Sequence, residues 1–283
     1  MANLSADDVQ NSAKRAARGA APWIQRLARI GFAAKGLVYL IIGTLALDAA
    51  LGRGGRATDS EGALLTILRQ PYGWLLLVVV AIGLAGYAVW RFVQASVDPE
   101  SIGGDAKRVG ARVGYAISGV IHAGLALEAA RMASGFGPAG SGDSGPQDWT
   151  ALVLALPLGR WVIAAVGLGI LAFGLFELVR AYRTDLPKQL DLSRLNASGR
   201  VWVVRFGRMG MAARGVVFGV IGGFLIRAAL AHDSRQARGL GGALQTLHEQ
   251  AHGPWLLGLV AIGLIAFGVF ELVEARYRRI YAA

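Results

Sequence analysis

The stretch from His248 to His252 reads His-Glu-x-x-His, a pattern that on a helix puts two imidazoles on one face for zinc and supplies a general base. The context opposes that chemistry. A Gly-Pro pair follows directly, and the nearest further ligands in sequence are His232 and Asp233. We therefore predict no enzymatic activity, no metal and no other cofactor. A metal-dependent membrane protease built on His248, Glu249 and His252 is kept as a remote alternative.

A second group of residues carries charge inside segments that are otherwise apolar. An ionised side chain at the centre of a bilayer costs at least ~2.5 to 3.5 kcal/mol, so such residues are candidates for function. The inner layer lies within about 10 Å of one membrane surface at a rise of 1.5 Å per residue and comprises Lys35, Arg91, Glu177, Arg214 and Glu271. The outer layer comprises Asp48, Arg131 and Arg227, with Glu128 one turn deeper.

Two interpretations of these layers are open. In the first, the basic side chains extend to the headgroups and the carboxylates neutralise them, so that the charges only lock helices together. In the second, the layers line a polar path for a small solute or ion. Lys35 and Arg91 are both positive and belong to one repeat, so their partners must come from other repeats, with Glu177 and Glu271 as candidates. His122, in mid-span, is either a packed, hydrogen-bonded residue or a proton relay.

Membrane-spanning helices must position these side chains. The 283 residues are 54% hydrophobic and 17% charged, with a mean hydropathy of +0.48, which is too apolar for a soluble domain of this size. A spanning helix needs about 20 apolar residues, and six segments qualify: 30–50, 73–93, 113–132, 151–179, 209–230 and 253–273. Cysteine is absent, which excludes disulfides and thiolate sites. The sequence predicts an all-α membrane protein.

Lysine and arginine are distributed unequally between the two sides of these segments. The connections on the side of the chain termini carry 19 of the 29, and those on the other side carry 8. The positive-inside rule therefore predicts cytoplasmic N- and C-termini. This distribution accounts for the net charge of +11 without nucleic acid. The basic segment 1–25 is expected either to lie on anionic lipids of the cytoplasmic leaflet or to be disordered.

Two sequence blocks each occur three times. The first begins with Arg-x-Gly and ends in glycine, at 29–36, 112–119 and 208–215. The second contains Gly and aromatic residues, at 82–91, 168–177 and 262–271. We therefore predict three repeats of two spans each, with the bounds 26–100, 101–185 and 186–283.

Two spans return the chain to its starting side, so the three repeats share one orientation. Repeats of that kind are related by an axis along the membrane normal. The prediction is a bundle with pseudo-threefold symmetry, in which odd-numbered spans form one ring and even-numbered spans another. Between the spans of each repeat, apolar residues three or four apart predict a short interfacial helix, at 63–68, 149–154 and 243–247.

The two blocks carry a resemblance to a known family. The pattern Arg-x-Gly-Phe/Tyr-Ala-Ala-Lys-Gly, followed by Gly-Leu-x-x-Tyr/Phe-x-x-Trp/Phe, resembles DUF1206, bacterial membrane proteins of unknown function built from tandem pairs of transmembrane helices. The resemblance covers nearly all of 26–277. Repeat 2 departs from the pattern at Ser118, where the basic residue is missing, and at His122. The resemblance implies the fold and a location in the bacterial plasma (inner) membrane, and it implies no activity.

The leading functional hypothesis is movement of a small solute or ion through the bundle, with the two charge layers along its path. The alternative is a non-catalytic structural or lipid-binding membrane module. A water-accessible path along the pseudo-threefold axis favours the first, and a dry axis filled by Gly, Ala and Leu favours the second. In both, the lipid bilayer is the partner.

Overall fold

The computed structural model describes residues 6–55, 57–97, 105–137, 144–183, 190–193 and 195–278. Their secondary structure is helical, apart from one isolated antiparallel bridge between Leu190 and Arg278. The helices, in chain order, are α1 Ala6–Ala50, α2 Ser60–Leu68, α3 Gly73–Val97, α4 Asp105–Ala133, α5 Ser144–Leu154, α6 Gly159–Arg183, α7 Ala197–Ala231, α8 Leu240–His248 and α9 Gly253–Tyr277. A 3₁₀ turn, Ser234–Gln236, precedes α8.

Six of these helices, α1, α3, α4, α6, α7 and α9, are long and apolar enough to cross a membrane. The predicted all-α protein with six spans is confirmed. The predicted start of the fourth span at residue 151 is wrong, because residues up to Leu154 belong to α5 and the span begins at Gly159. Pro157 and Leu158 lie in the turn that separates the two helices. Leu158 has a left-handed backbone conformation with φ of 66°.

The helix that contains the first span begins at Ala6 and runs without interruption into the span. The backbone of residues 6–25 is therefore helical. Contact of this segment with anionic lipid stays a prediction.

The three short connecting helices are confirmed as α2, α5 and α8. Each is followed by a tight turn into the next span, and the first residue of that span is glycine: Gly73, Gly159 and Gly253. A Cβ atom at any of these positions would overlap a carbonyl oxygen at the end of the short helix. The repeated glycine is therefore required by close backbone approach. We call the end of the bundle with α2, α5 and α8 the connector end, and the opposite end the terminal end.

The spans of different repeats interlock in cyclic order. The first span of each repeat packs along the second span of the preceding one: α4 on α3, α7 on α6, and α1 on α9. We call these pairs the inter-repeat interfaces. Within repeats 1 and 3 the two spans also pack together, α1 on α3 and α7 on α9. Between the described parts of α4 and α6, the spans of repeat 2, no comparable interface forms. We call this opening the seam.

The six spans thus form one pseudo-threefold ring that is open at the seam. First and second spans alternate around it, so the prediction of separate odd and even rings is wrong. The interior is apolar, because one buried cluster joins side chains of α1, α3, α4, α7 and α9. Val38, Ile42, Leu84, Val217 and Leu264 belong to it. Glycines in the spans allow the close approach on which packing in lipid depends.

Candidate functional site

The first inter-repeat interface, between α1 and α9, contains a buried ion pair. Lys35 Nζ lies 2.8 Å from Glu271 Oε1, and the two residues are only 6% and 1% exposed. Lys35 also donates to the Tyr87 hydroxyl at 3.1 Å and lies 5.0 Å from the ring centroid of Phe267. The sequence-based expectation that Lys35 finds its partner in another repeat is correct, and Glu271 is that partner.

The second interface, between α7 and α6, repeats this arrangement. Arg214 Nη1 lies 3.5 Å from Glu177 Oε2, and Glu177 is 2% exposed. The guanidinium of Arg214 also stacks over Phe267, 4.4 Å from the ring centroid. Arg180, one turn along α6, lies 3.7 Å from the other carboxylate oxygen of Glu177. Two inter-repeat interfaces thus each contain a basic residue from the first span of one repeat and a glutamate from the second span of another.

The third interface, between α4 and α3, has neither the basic residue on the first span nor the glutamate on the second span. Ser118 occupies the position of Lys35 and Arg214, and Arg91 occupies the position of the glutamates. Arg91 Nε donates to the Tyr87 hydroxyl at 2.8 Å, and its Nη1 donates to Gln94 Oε1 at 2.9 Å. The expectation that a glutamate of another repeat pairs with Arg91 is therefore wrong. The phenol of Tyr87 accepts hydrogen bonds from Lys35 and Arg91 together.

Each interface also contains one pair of rings at equivalent positions. Tyr39 packs against Phe267 with centroids 4.8 Å apart, and Phe218 packs against Phe173 at 5.2 Å. The third pair is His122 with Tyr87, at 4.5 Å. His122 Nδ1 lies 2.7 Å from the Ser118 carbonyl oxygen on its own helix. His122 thus occupies an aromatic packing position, which favours the packed interpretation over a proton relay.

Sequence reasoning missed the role of the first arginine in the repeated block. Arg29 donates to the carbonyl oxygens of residues 275 and 276, at 3.1 and 2.5 Å. Arg112 donates to those of residues 95 and 96, at 2.5 and 3.2 Å. Both arginines therefore cap the last turn of the neighbouring second span, whose carbonyls lack helical partners. The accepting carbonyls occupy equivalent positions in the repeats, so an alignment of the repeats could have identified this capping contact.

The outer layer does not assemble into a common site. Arg131 Nε lies 3.9 Å from Glu128 Oε2 on the same helix. Arg227 is exposed, and Asp48 is half-buried at the end of α1. Arg131 therefore pairs with a carboxylate from one turn earlier in its own helix.

The His-Glu-x-x-His stretch does not form on one helix. His248 is the last residue of α8, Glu249 lies in the turn, and His252 precedes α9. The two imidazoles therefore lack the helical i, i+4 spacing of a His-Glu-x-x-His zinc site. Asp233, named as a possible further ligand, accepts from Arg235 through the backbone N at 3.1 Å and Nε at 3.2 Å. These hydrogen bonds lower the pKa of Asp233. Among the described residues no cluster of three potential metal ligands occurs.

The seam separates residues that are in contact in the other two repeats. A Cβ atom on Gly31 would lie 2.6 Å from Tyr87 Cβ, and one on Gly210 would lie 2.6 Å from Phe267 Cβ. The equivalent glycine of repeat 2 is Gly114, where a Cβ would have no atom within 4 Å. Repeat 2 therefore keeps this glycine without packing an aromatic residue against it.

The opposite side of the seam is equally unpacked. Phe173 of α6, equivalent to Tyr87 and Phe267, is 41% exposed. A Cβ on Gly83 of repeat 1 would lie 2.6 Å from Ala34 Cβ, whereas one on Gly169 of repeat 2 would meet nothing within 4 Å. Both edges of the seam are therefore apolar and open in the described part of the chain.

A cavity of about 380 Å³ lies at the connector end of α6. Side chains of α5, α6 and α7 line it, together with Arg238 and Gly239. On α6 the lining includes Val162 and Val166. These share a helical face with Gly169 and Phe173, because the four residues are spaced by four, three and four. The cavity and the α6 edge of the seam thus lie on one side of the helix.

Fold and site together define a multi-pass helical membrane protein whose three two-helix repeats are interlocked by buried ion pairs and ring pairs. The chain belongs to the family described as Domain of Unknown Function (DUF1206), which matches residues 30–98, 113–184 and 209–278, one match in each repeat. The resemblance seen in the sequence is confirmed.

A relative in Bacillus subtilis (strain 168), described as "Uncharacterized protein YxxB", is 37% identical over 257 residues. The alignment covers 91% of this chain and 92% of the relative. No solved structure matches the chain.

Proposed function

We propose that the protein is a non-catalytic, lipid-binding membrane module and that the seam of repeat 2 admits lipid acyl chains. The observation that carries this proposal is the open contact at Gly114, Gly169 and Phe173. Equivalent residues in repeats 1 and 3 bring two helices together. In repeat 2 they leave an apolar opening between two spans, and within a bilayer hydrocarbon is the medium that fills such an opening.

The interior of the ring supports this choice over transport along the axis. The central cluster is built from apolar side chains of five spans, including Val38, Ile42 and Leu264. An ion crossing this cluster would have to give up its hydration without finding polar ligands, which is costly. The inner charges face one another across interfaces, as Lys35 and Glu271 do at 2.8 Å. This geometry is that of ion pairs that hold neighbouring helices together.

The proposal includes an orientation. The terminal end faces the cytoplasm, because the connections there carry 19 of the 29 lysines and arginines. The membrane is then the bacterial plasma (inner) membrane, and the basic segment before the first span contacts anionic lipid. The cavity at the connector end then faces the opposite leaflet, whereas Gly114 and Phe173 of the seam lie nearer the terminal end.

Collision accessibility of spin labels tests the proposal. Because the chain has no cysteine, Ile117→Cys and Phe173→Cys place single labels on the two edges of the seam. Ile82→Cys, on the exposed face of α3, gives a lipid-facing reference. In nanodiscs we expect the seam labels to collide with dissolved oxygen as often as the reference, and rarely with a water-soluble nickel chelate. Low accessibility to both reagents would mean a closed seam and would contradict the proposal.

Movement of a small solute or ion is the second candidate, and one observation favours it. In the described part of the chain, Glu271 Oε2 and Arg214 Nε are buried without a hydrogen-bond partner, and Glu177 Oε2 has only the 3.5 Å ion-pair contact with Arg214. Buried polar atoms of this kind usually bind water or a ligand. Liposome flux with a panel of solutes and ions, for the wild type against Lys35→Met and Glu177→Gln, tests this candidate. Flux above that of empty vesicles, abolished by either substitution, would favour transport over the lipid-binding module.

A further inference from the structure

We propose that the cavity beside α6 is a binding site for one phospholipid, with an acyl chain along α6 and the phosphate beside Arg238. The inference rests on the proposed function, because the cavity lies on the seam-facing side of α6. It adds a ligand class and a polar contact to that function.

The lining of the cavity fits a hydrocarbon chain. Val162, Ile163, Val166 and Ile170 of α6 form one wall, and Ile221 and Leu225 of α7 form another. The α6 wall runs from residue 162 to residue 170, which is about 12 Å along the helix at a rise of 1.5 Å per residue. Trp149 of α5, which is exposed, lines the cavity as well. Tryptophan is enriched at the level of lipid headgroups, where a chain would enter.

The size of the cavity suits a flexible chain. Its volume of about 380 Å³ lies within the range of ~300 to 1,000 Å³ that is usual for small-molecule sites.

Arg238 supplies the polar end of the site. Its Nη1 donates to Thr246 Oγ1 at 3.0 Å, and its guanidinium lies 5.3 Å from the ring centroid of Phe224. These contacts fix the side chain, and among the described residues Nε and Nη2 have no acceptor, so both are available as donors. A guanidinium presents paired N–H groups that match the oxygens of a phosphate. A phospholipid phosphate at headgroup level is the anion that the surrounding membrane supplies.

Selectivity must come from this polar end. Lipid tails are as apolar as the lining, so burial of a chain in the cavity gains little over the bilayer. A partly exposed ion pair between a guanidinium and a phosphate contributes about 1 kcal/mol, which corresponds to about fivefold in affinity. We therefore expect phosphate-bearing lipid to bind at least fivefold more tightly than a lipid of the same chains without phosphate.

Native mass spectrometry of the purified, delipidated protein tests the inference. The probes are palmitoyl-oleoyl phosphatidylglycerol and the diacylglycerol with the same chains. Arg238→Gln removes the guanidinium, and Val166→Trp fills the cavity. Leu175→Trp, at an exposed position of the same helix, is the matched control. Unchanged size-exclusion profiles and circular dichroism verify that each variant is folded.

We expect one saturable phosphatidylglycerol per wild-type chain, about fivefold weaker binding in Arg238→Gln, no saturable binding in Val166→Trp, and wild-type binding in Leu175→Trp. Equal binding of both lipids, or wild-type binding in Val166→Trp, would overturn the inference. The seam labels separate the two proposals. If the labels at Ile117 and Phe173 remain oxygen-accessible while Val166→Trp binds lipid normally, the cavity inference fails and the seam proposal stands.

Discussion

Removal of one partner from the Lys35–Glu271 ion pair should destabilise the fold far more than removal of both. The pair joins α1 to α9 and therefore closes repeat 3 onto repeat 1. Lys35→Met leaves Glu271 with a buried charge, and Glu271→Leu leaves Lys35 with the Tyr87 hydroxyl at 3.1 Å and two aromatic rings.

The burial of the pair determines how much unfolding free energy each single variant loses. Both residues are almost completely buried, and loss of one member of such a pair costs about 3–5 kcal/mol. The loss in Glu271→Leu should lie at the lower end of this range, because Lys35 keeps a hydrogen bond and its contacts with the aromatic rings. The double variant Lys35→Met/Glu271→Leu replaces the pair by apolar groups, which is often nearly neutral. With a loss of about 3 kcal/mol or more in each single variant and little loss in the double variant, the expected coupling energy is about 6 kcal/mol, above the ~0.5–3 kcal/mol that is usual for residues in contact.

Equilibrium unfolding in dodecyl maltoside micelles with increasing dodecyl sulfate measures these free energies, with circular dichroism as the signal. Four proteins complete the cycle: the wild type, the two single variants and the double variant. Additive losses, with a coupling energy near zero, would refute the conclusion that the pair locks the two repeats. They would indicate instead that Lys35 reaches the headgroups independently of Glu271.

Two further predictions use the internal repeats as their own controls. In Ser118→Glu the new carboxylate should pair with Arg91 and stabilise the third interface by about 1 kcal/mol or more. Ser118→Lys should destabilise the same interface, because two positive charges then face each other. Equal unfolding midpoints for the two variants would contradict the equivalence of position 118 with positions 35 and 214. Gly31→Ala places a methyl group 2.6 Å from Tyr87 Cβ and should destabilise by several kcal/mol, while Gly114→Ala has open space and should be neutral or stabilising. A large loss in Gly114→Ala would mean that α4 packs against α6.

The repeated blocks allow most of the architecture to be predicted from the sequence. Apolar length gives the six spans, and the even number of spans per repeat gives one shared orientation. The need to neutralise Lys35 within an apolar segment points correctly to a glutamate from another repeat. The fourth span is misplaced because the apolar run continues through the connecting helix, and hydropathy does not distinguish Leu154 in α5 from residues of α6.

The seam could not be predicted, because repeat 2 retains Gly114, Gly169 and Phe173 as if the contact were made. A local pattern records which residues can pack together and not whether two distant helices do so. The partner of Arg91 was missed for a related reason. Its charge suggested a carboxylate, whereas Tyr87 on its own helix satisfies it, one turn away.

The distance between α4 and α6 in a bilayer tests the central claim most directly. Spin labels at Val113 and Leu168 report on repeat 2, and labels at the equivalent exposed positions Met209 and Ile262 report on repeat 3. Double electron–electron resonance in nanodiscs should give a distance several ångströms longer for the first pair, because the seam separates its helices. Equal distances for the two pairs would contradict an open seam and with it the proposed entry of lipid.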